Sequence, residues 1–118
     1  MTQRQEYAAT SRDFLAKAQA ALDQGDLAQA SEKAWGAAAQ MVKAIAEQRG
    51  WQHNGHALLF QTVSRLVAET GDDQLRNLFH VANSLHSNFY ENWLDSEMVE
   101  SGLRDVRLLV TMLERLLS

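Results

Sequence analysis

Phe14, Leu15, Ala18, Ala21 and Leu22 recur at three- and four-residue spacing, which puts them on one face of a helix turning 100° per residue. The spacing predicts a first helix over about residues 2–23, stopped by Gly25. Asp26 opens a second helix, with Gln29 three residues on as a capping-box partner. This helix runs to about Arg49, with Gly50 as its C-terminal stop. Leu27, Ala30, Ala34, Ala37, Met41 and Ile45 mark one face of it; Trp35, Ala38 and Val42 mark the adjoining one. So wide an apolar arc suits a central helix with neighbours on several sides. Its alanines allow close approach and favour the helix intrinsically.

Residues 51–55 read as a loop. A third helix follows from His56 to about Thr70, with Leu59, Val63, Leu66 and Val67 turned inward. Gly71 closes it and Asp72 or Asp73 caps a fourth, expected to run to about Asn92 on the stripe Leu75, Leu78, Phe79, Ala82, Phe89 and Trp93. Phe89 and Trp93 are expected to be buried. The fifth helix begins near Ser96 and runs to the end, lined by Val99, Leu103, Val106, Leu109, Val110, Leu113 and Leu117. No period-two alternation and no solenoid-length repeat interrupts this pattern. Short connections favour antiparallel neighbours. The expected fold is therefore all-α, an antiparallel up-and-down bundle of four to five helices, in a single domain spanning residues 1–118.

Composition narrows the function classes. At 118 residues the chain can bury roughly two-thirds of its unfolded surface, enough for a core without staples. The absence of cysteine excludes disulfides and thiolate metal sites. Residues 1–7 lack the apolar run of a signal peptide, and no stretch approaches the roughly 18 apolar residues of a membrane span. A cytoplasmic location with no membrane partner is the expectation. Net charge is −4 and the eleven Lys and Arg are scattered, which argues against strong non-specific binding to phosphate backbones.

Candidate chemistry centres on the fourth helix. His86 falls within its apolar stripe, and Asn83 and Tyr90 border the same side, so the three polar groups form a seam facing one partner helix. A buried histidine satisfied by hydrogen bonds is the plain reading, since an unpaired buried polar group costs about 1–3 kcal/mol. The functional reading makes Asn83, His86 and Tyr90 a ligand-binding set. His53-Asn54-Gly55-His56 has the spacing H-x-x-H, but with no nearby carboxylate at ligand spacing no metal site is expected, and His56 reads as a first-turn residue. No glycine-rich phosphate loop and no nucleophile elbow occurs, so no cofactor is expected. Asp72, Asp73, Asp95, Glu97 and Glu100 sit at helix starts, where they offset the helix dipole.

Gly25-Asp26-Leu27, Ala30, Glu32-Lys33-Ala34-Trp35, Ala38-Ala39 and Val42-Lys43-Ala44 resemble the first helical pair of HEPN-type domains. His56 with Leu59 and Leu66 is similar to the opening of that family's next helix. Leu85-His86 through Asn88-Phe89-Tyr90-Glu91 resembles the archaeal PaREP1-like branch. The resemblance covers roughly residues 7–115. It implies a four- to five-helix bundle, commonly a homodimer. Many members are ribonucleases with an R-x4–6-H motif; others bind nucleotides, RNA or a nucleotidyltransferase partner without catalysis.

This chain departs from the ribonuclease pattern. Three residues separate Arg76 from His80 and nine separate Arg76 from His86; six separate Arg49 from His56, but that pair flanks the wrong loop. The implied function is a non-catalytic, dimeric HEPN-like module that binds a partner protein or a nucleotide- or RNA-type ligand. A divergent ribonuclease using His86, Asn83 and Arg76 is the alternative. A tetratricopeptide-like scaffold would need a 34-residue period that is absent.

Overall fold

In the computed structural model residues 1–117 are described. Among them the chain forms five helices: α1 (Gln3–Asp23), α2 (Leu27–Arg49), α3 (His56–Thr70), α4 (Gln74–Glu91) and α5 (Ser96–Arg115). The helical bundle read from periodicity is the fold observed.

Local chemistry sets the boundaries. Thr2 and Gln5 form a reciprocal capping box at the start of α1, each satisfying a backbone donor that the first turn leaves unpaired. At α2 the Asp26 carboxylate accepts from the Gln29 N–H at 3.1 Å. Gly50 ends α2 at φ +72 and Gly71 ends α3 at φ +74, left-handed conformations that cost a residue with a Cβ about 1–2 kcal/mol. α4 ends instead at Asn92, the non-glycine residue that adopts positive φ among those described.

α2 packs against each of the other four helices, as its wide arc requires. Ala34, Ala37, Ala38, Ala44 and Ala46 are fully buried along it, beside Met41, Val42 and Ile45. The core is continuous, from Leu15 of α1 through α2 to Leu66, Phe79 and Leu109 of the later helices. Ser11 Oγ donates to the Ala37 carbonyl at 2.6 Å in the buried α1–α2 seam. Phe14 meets Gly36 in the same seam, so α1 and α2 run antiparallel. Trp35 against Phe79 and Ser31 against Asn88 show the same for α2 and α4. Leu85 against Gly102 continues the antiparallel seam from α4 to α5.

α3 departs from strict alternation. Its first residue, His56, lies on Trp35, whereas Glu69 near its end pairs with Arg49 at the end of α2. α3 therefore runs in the same direction as α2, and residues 50–55 return along α2 to make this possible. His53 pins that return, with Nε2 at 2.9 Å from Glu47 Oε2 and its ring edge-on to Tyr7. A six-residue segment reaches at most about 20 Å, close to the ~21 Å by which α2 rises from Trp35 to Arg49. This extended return carries His56 to the middle of the bundle's flank.

Candidate functional site

Glu32 and Trp35 stand three residues apart on α2, on one face of the helix. His86 and Tyr90 stand four apart on α4. The return of residues 50–55 adds His56 at the first turn of α3, and the three helices bring these five side chains together. Trp35 is buried at 6% exposure and rests on fully buried Phe79, ring centroids 5.5 Å apart. His56 lies flat on the indole at 4.8 Å with planes 7° from parallel. His86 meets the same indole at 5.1 Å and His56 at 4.9 Å. Tyr90 stands edge-on to His86 at 5.3 Å and forms the open rim, 69% exposed.

His86 Nδ1 lies 3.2 Å from Glu32 Oε1. A carboxylate only accepts, so Nδ1–H is the donor. Nε2 is the ring's remaining polar edge. Both side chains are about three-quarters buried, and the pair joins α4 to α2 at the edge of the core. The cluster holds flat aromatic faces, hydrogen-bonding edges on two imidazoles, a carboxylate and a phenol. It holds no lysine or arginine: neighbouring Lys33 has its ammonium 4.8 Å over the Phe14 ring instead. Chemically, such faces and edges suit contact with a flat, uncharged ring, and the five side chains offer no cation to a chain of phosphates. Among the described residues no three His, Asp or Glu side chains converge as metal ligands would.

Of the three residues picked from the sequence, His86 and Tyr90 meet here. Asn83 is half-buried on the same side of α4, but its side chain has no hydrogen-bond partner among the described residues; its carbonyl accepts from Ser87 Oγ at 3.4 Å. His53 and His56 diverge, the first to Glu47 and the second to Trp35. Arg76 pairs with Asp73 at 2.8 Å and Arg49 pairs with Glu69, so neither guanidinium joins the histidines.

Trp93 is a correction. It is 68% exposed, because Asn92 turns left-handed and ends α4 at Glu91 before the apolar stripe reaches Trp93. Phe89 is only half-buried. Glu32, Trp35 and His56 are partners that reading α4 alone did not supply. The Glu32–Trp35 spacing and the similarity of His56 to a family position were the available signals, but their convergence depends on the direction of α3.

The stretch of residues 6–110 matches the model of the archaeal PaREP1/PaREP8 family. The chain belongs to this family. All five cluster residues lie inside the matched PaREP1/PaREP8 stretch. A crystal structure of a Sulfolobus solfataricus protein superposes with a TM-score of 0.82 at 24% identity, covering 92% of this chain and 97% of that one. At that identity the likeness establishes a shared fold. No curated protein matches the chain.

Proposed function

We propose that this PaREP1/PaREP8 chain is a non-catalytic, HEPN-like, dimeric module that acts in the cytoplasm as a single domain and binds a nucleotide- or RNA-type ligand through its base. The observation that carries this reading is the stack of His56 and His86 on Trp35 with Glu32 at its edge. A heterocyclic base presents a flat face to rings and a donor–acceptor edge to imidazole and carboxylate. Tyr90 at the rim supplies a further aromatic face, and Asn83, on the same side of α4, an unengaged amide. The homodimer rests on the HEPN resemblance and on exposed Tyr90, Trp93 and Met98, large apolar side chains around the α4–α5 junction. A nucleotidyltransferase-type protein is the alternative partner for that surface.

Calorimetric titration with adenosine, AMP and a short single-stranded RNA tests the ligand. Saturable binding of the nucleoside itself, lost in His86→Ala and His56→Ala, is the expected result. Heats indistinguishable from dilution for all three ligands would remove the reading.

One observation favours the ribonuclease alternative. His56 and His86 lie 4.9 Å apart, and His86 is oriented by a carboxylate, as an acid–base pair requires. A nuclease assay comparing the parent chain with His86→Ala separates the readings: RNA cleavage that disappears with His86 would make the module an enzyme.

A further inference from the structure

We propose that residues 50–52 and the outer face of α3 form a second site, for a small oxyanion carried on an apolar or flat body, with Arg65 as its anion ligand. Trp51 is fixed by its backbone, its N–H donating to the Ala46 carbonyl at 2.8 Å. Two guanidinium groups lie over its indole, Arg49 at 5.4 Å and Arg65 at 4.8 Å. They are not equivalent. Arg49 is engaged by the Glu69 carboxylate, whereas Arg65 has no carboxylate partner among the described residues. A guanidinium held over an aromatic face keeps its in-plane N–H fork for an oxygen acceptor.

A cavity of about 310 Å³ opens beside this fork, at the small end of the ~300–1,000 Å³ range of ligand pockets. Trp51 and Leu58 give it apolar walls, and Gln52 and Gln61 bring amide donors. No Asp or Glu lines it, in a chain whose net charge is −4. Thr62 also borders it but donates its hydroxyl to the Leu58 carbonyl at 3.0 Å, so Arg65 and the two amides are the free donors. An uncompensated cation, two amides and apolar walls together suit a phosphate or carboxylate attached to a body of ring size. The site is separate from the histidine cluster. Leu58, Gln61, Thr62 and Arg65 lie roughly 140–240° around α3 from His56 at 100° per residue.

The test is titration of the full chain with phenyl phosphate, benzoate and inorganic phosphate, following the Trp51 indole N–H and the Arg65 Nε–H by NMR. Saturable shifts at both groups are expected for phenyl phosphate or benzoate, and the better of the two identifies the anion. Binding should weaken at least about tenfold in Arg65→Gln, the loss of one charge-assisted bidentate contact, and less in Arg65→Lys, which keeps the charge without the fork. Arg104→Gln, which removes the same charge from α5, should leave it unchanged. Non-saturating shifts for all three probes would overturn the proposal. So would equal weakening by Arg65→Gln and Arg104→Gln, which is a net-charge effect. Arg65→Lys also protects the test should Arg65→Gln lower stability.

Discussion

His56 lies flat against Trp35, two rings from different helices with their planes 7° from parallel. The two contribute unequally to the fold. Trp35 is 6% exposed and belongs to the core, so Trp35→Ala should cost about 3–5 kcal/mol, as large aromatic truncations do. His56 is exposed and contributes mainly its ring contact, worth about 0.5–1.5 kcal/mol. Urea denaturation of the two variants should show that gap. His56→Ala should stay folded, which makes it the clean probe of ligand binding. A His56→Ala loss as large as that of Trp35→Ala would mean that His56 is a core residue.

Asn88 ties three elements with one fully buried side chain. Its Nδ2 donates to Ser31 Oγ at 2.9 Å, and its Oδ1 accepts from the Trp93 and Leu94 N–H groups, each at 2.9 Å. Asn88→Ala removes all three bonds and strands the two backbone donors where the chain leaves α4. At about 1–3 kcal/mol for each buried group left unpaired, the expected loss is about 3 kcal/mol. Asn88→Asp keeps the acceptor, loses the donor to Ser31 and buries a charge, so it should be no better. Chemical denaturation checks both, and a shift under about 1 kcal/mol would show that water replaces these bonds without loss.

The helices were legible because each carries its own evidence. Asp26, Gly50, Gly71 and the 3.6-residue stripes mark ends and faces locally, and the breadth of the α2 arc announces a central helix with neighbours on several sides. The seam on α4 was legible in the same way, since His86 and Tyr90 share a face four residues apart. What faces them was not. Residues 50–55 are short enough to suggest a tight antiparallel turn, yet they run extended, held by His53 against Glu47 and Tyr7. That choice is made by contacts distant in sequence, and it decides whether His56 reaches Trp35 at all. Trp93 fails for a similar reason. The apolar stripe continues on paper, but Asn88 captures the next backbone donors and Asn92 turns the chain out before Trp93 can join it.

Arg12 and Glu114 join α1 to α5 through a two-pronged ion pair, Nε to Oε2 at 3.1 Å and Nη2 to Oε1. Both side chains are more than 40% exposed, so Arg12→Ala should cost only about 0–1 kcal/mol. The hydrogen bond to Glu114, followed by its charge, raises the Arg12 pKa against the opposing effect of burial. A cation whose folded pKa is raised contributes fully below its unfolded value and loses that contribution only as pH climbs through the raised one. Arginine titrates above about 12, so Arg12 titration should add no slope to stability from about pH 6 to 9. Thermal melts across that window should show the same difference between parent and Arg12→Ala at each pH. A difference growing through neutral pH would assign the effect to another group.

Trp93 separates surface from fold. Its indole is 68% exposed, and what holds the residue in place is its backbone N–H, bonded to Asn88 Oδ1. Trp93→Ser keeps that N–H and removes only the exposed ring, so the unfolding free energy should change by less than about 0.5 kcal/mol. The same substitution removes the largest apolar group beside Tyr90 and Met98. Light scattering at micromolar concentration should therefore find the parent chain as a dimer and Trp93→Ser shifted towards monomer, with no greater fall in the melt than loss of the dimer's own linkage produces. A parent chain that is monomeric under those conditions would remove the proposed dimer and leave Trp93 as an exposed side chain. A dimer unaffected by Trp93→Ser would move the interface to another face. A large fall in the melting temperature of a chain that is monomeric throughout would contradict the exposure of Trp93 itself, because an indole in water has little burial to lose.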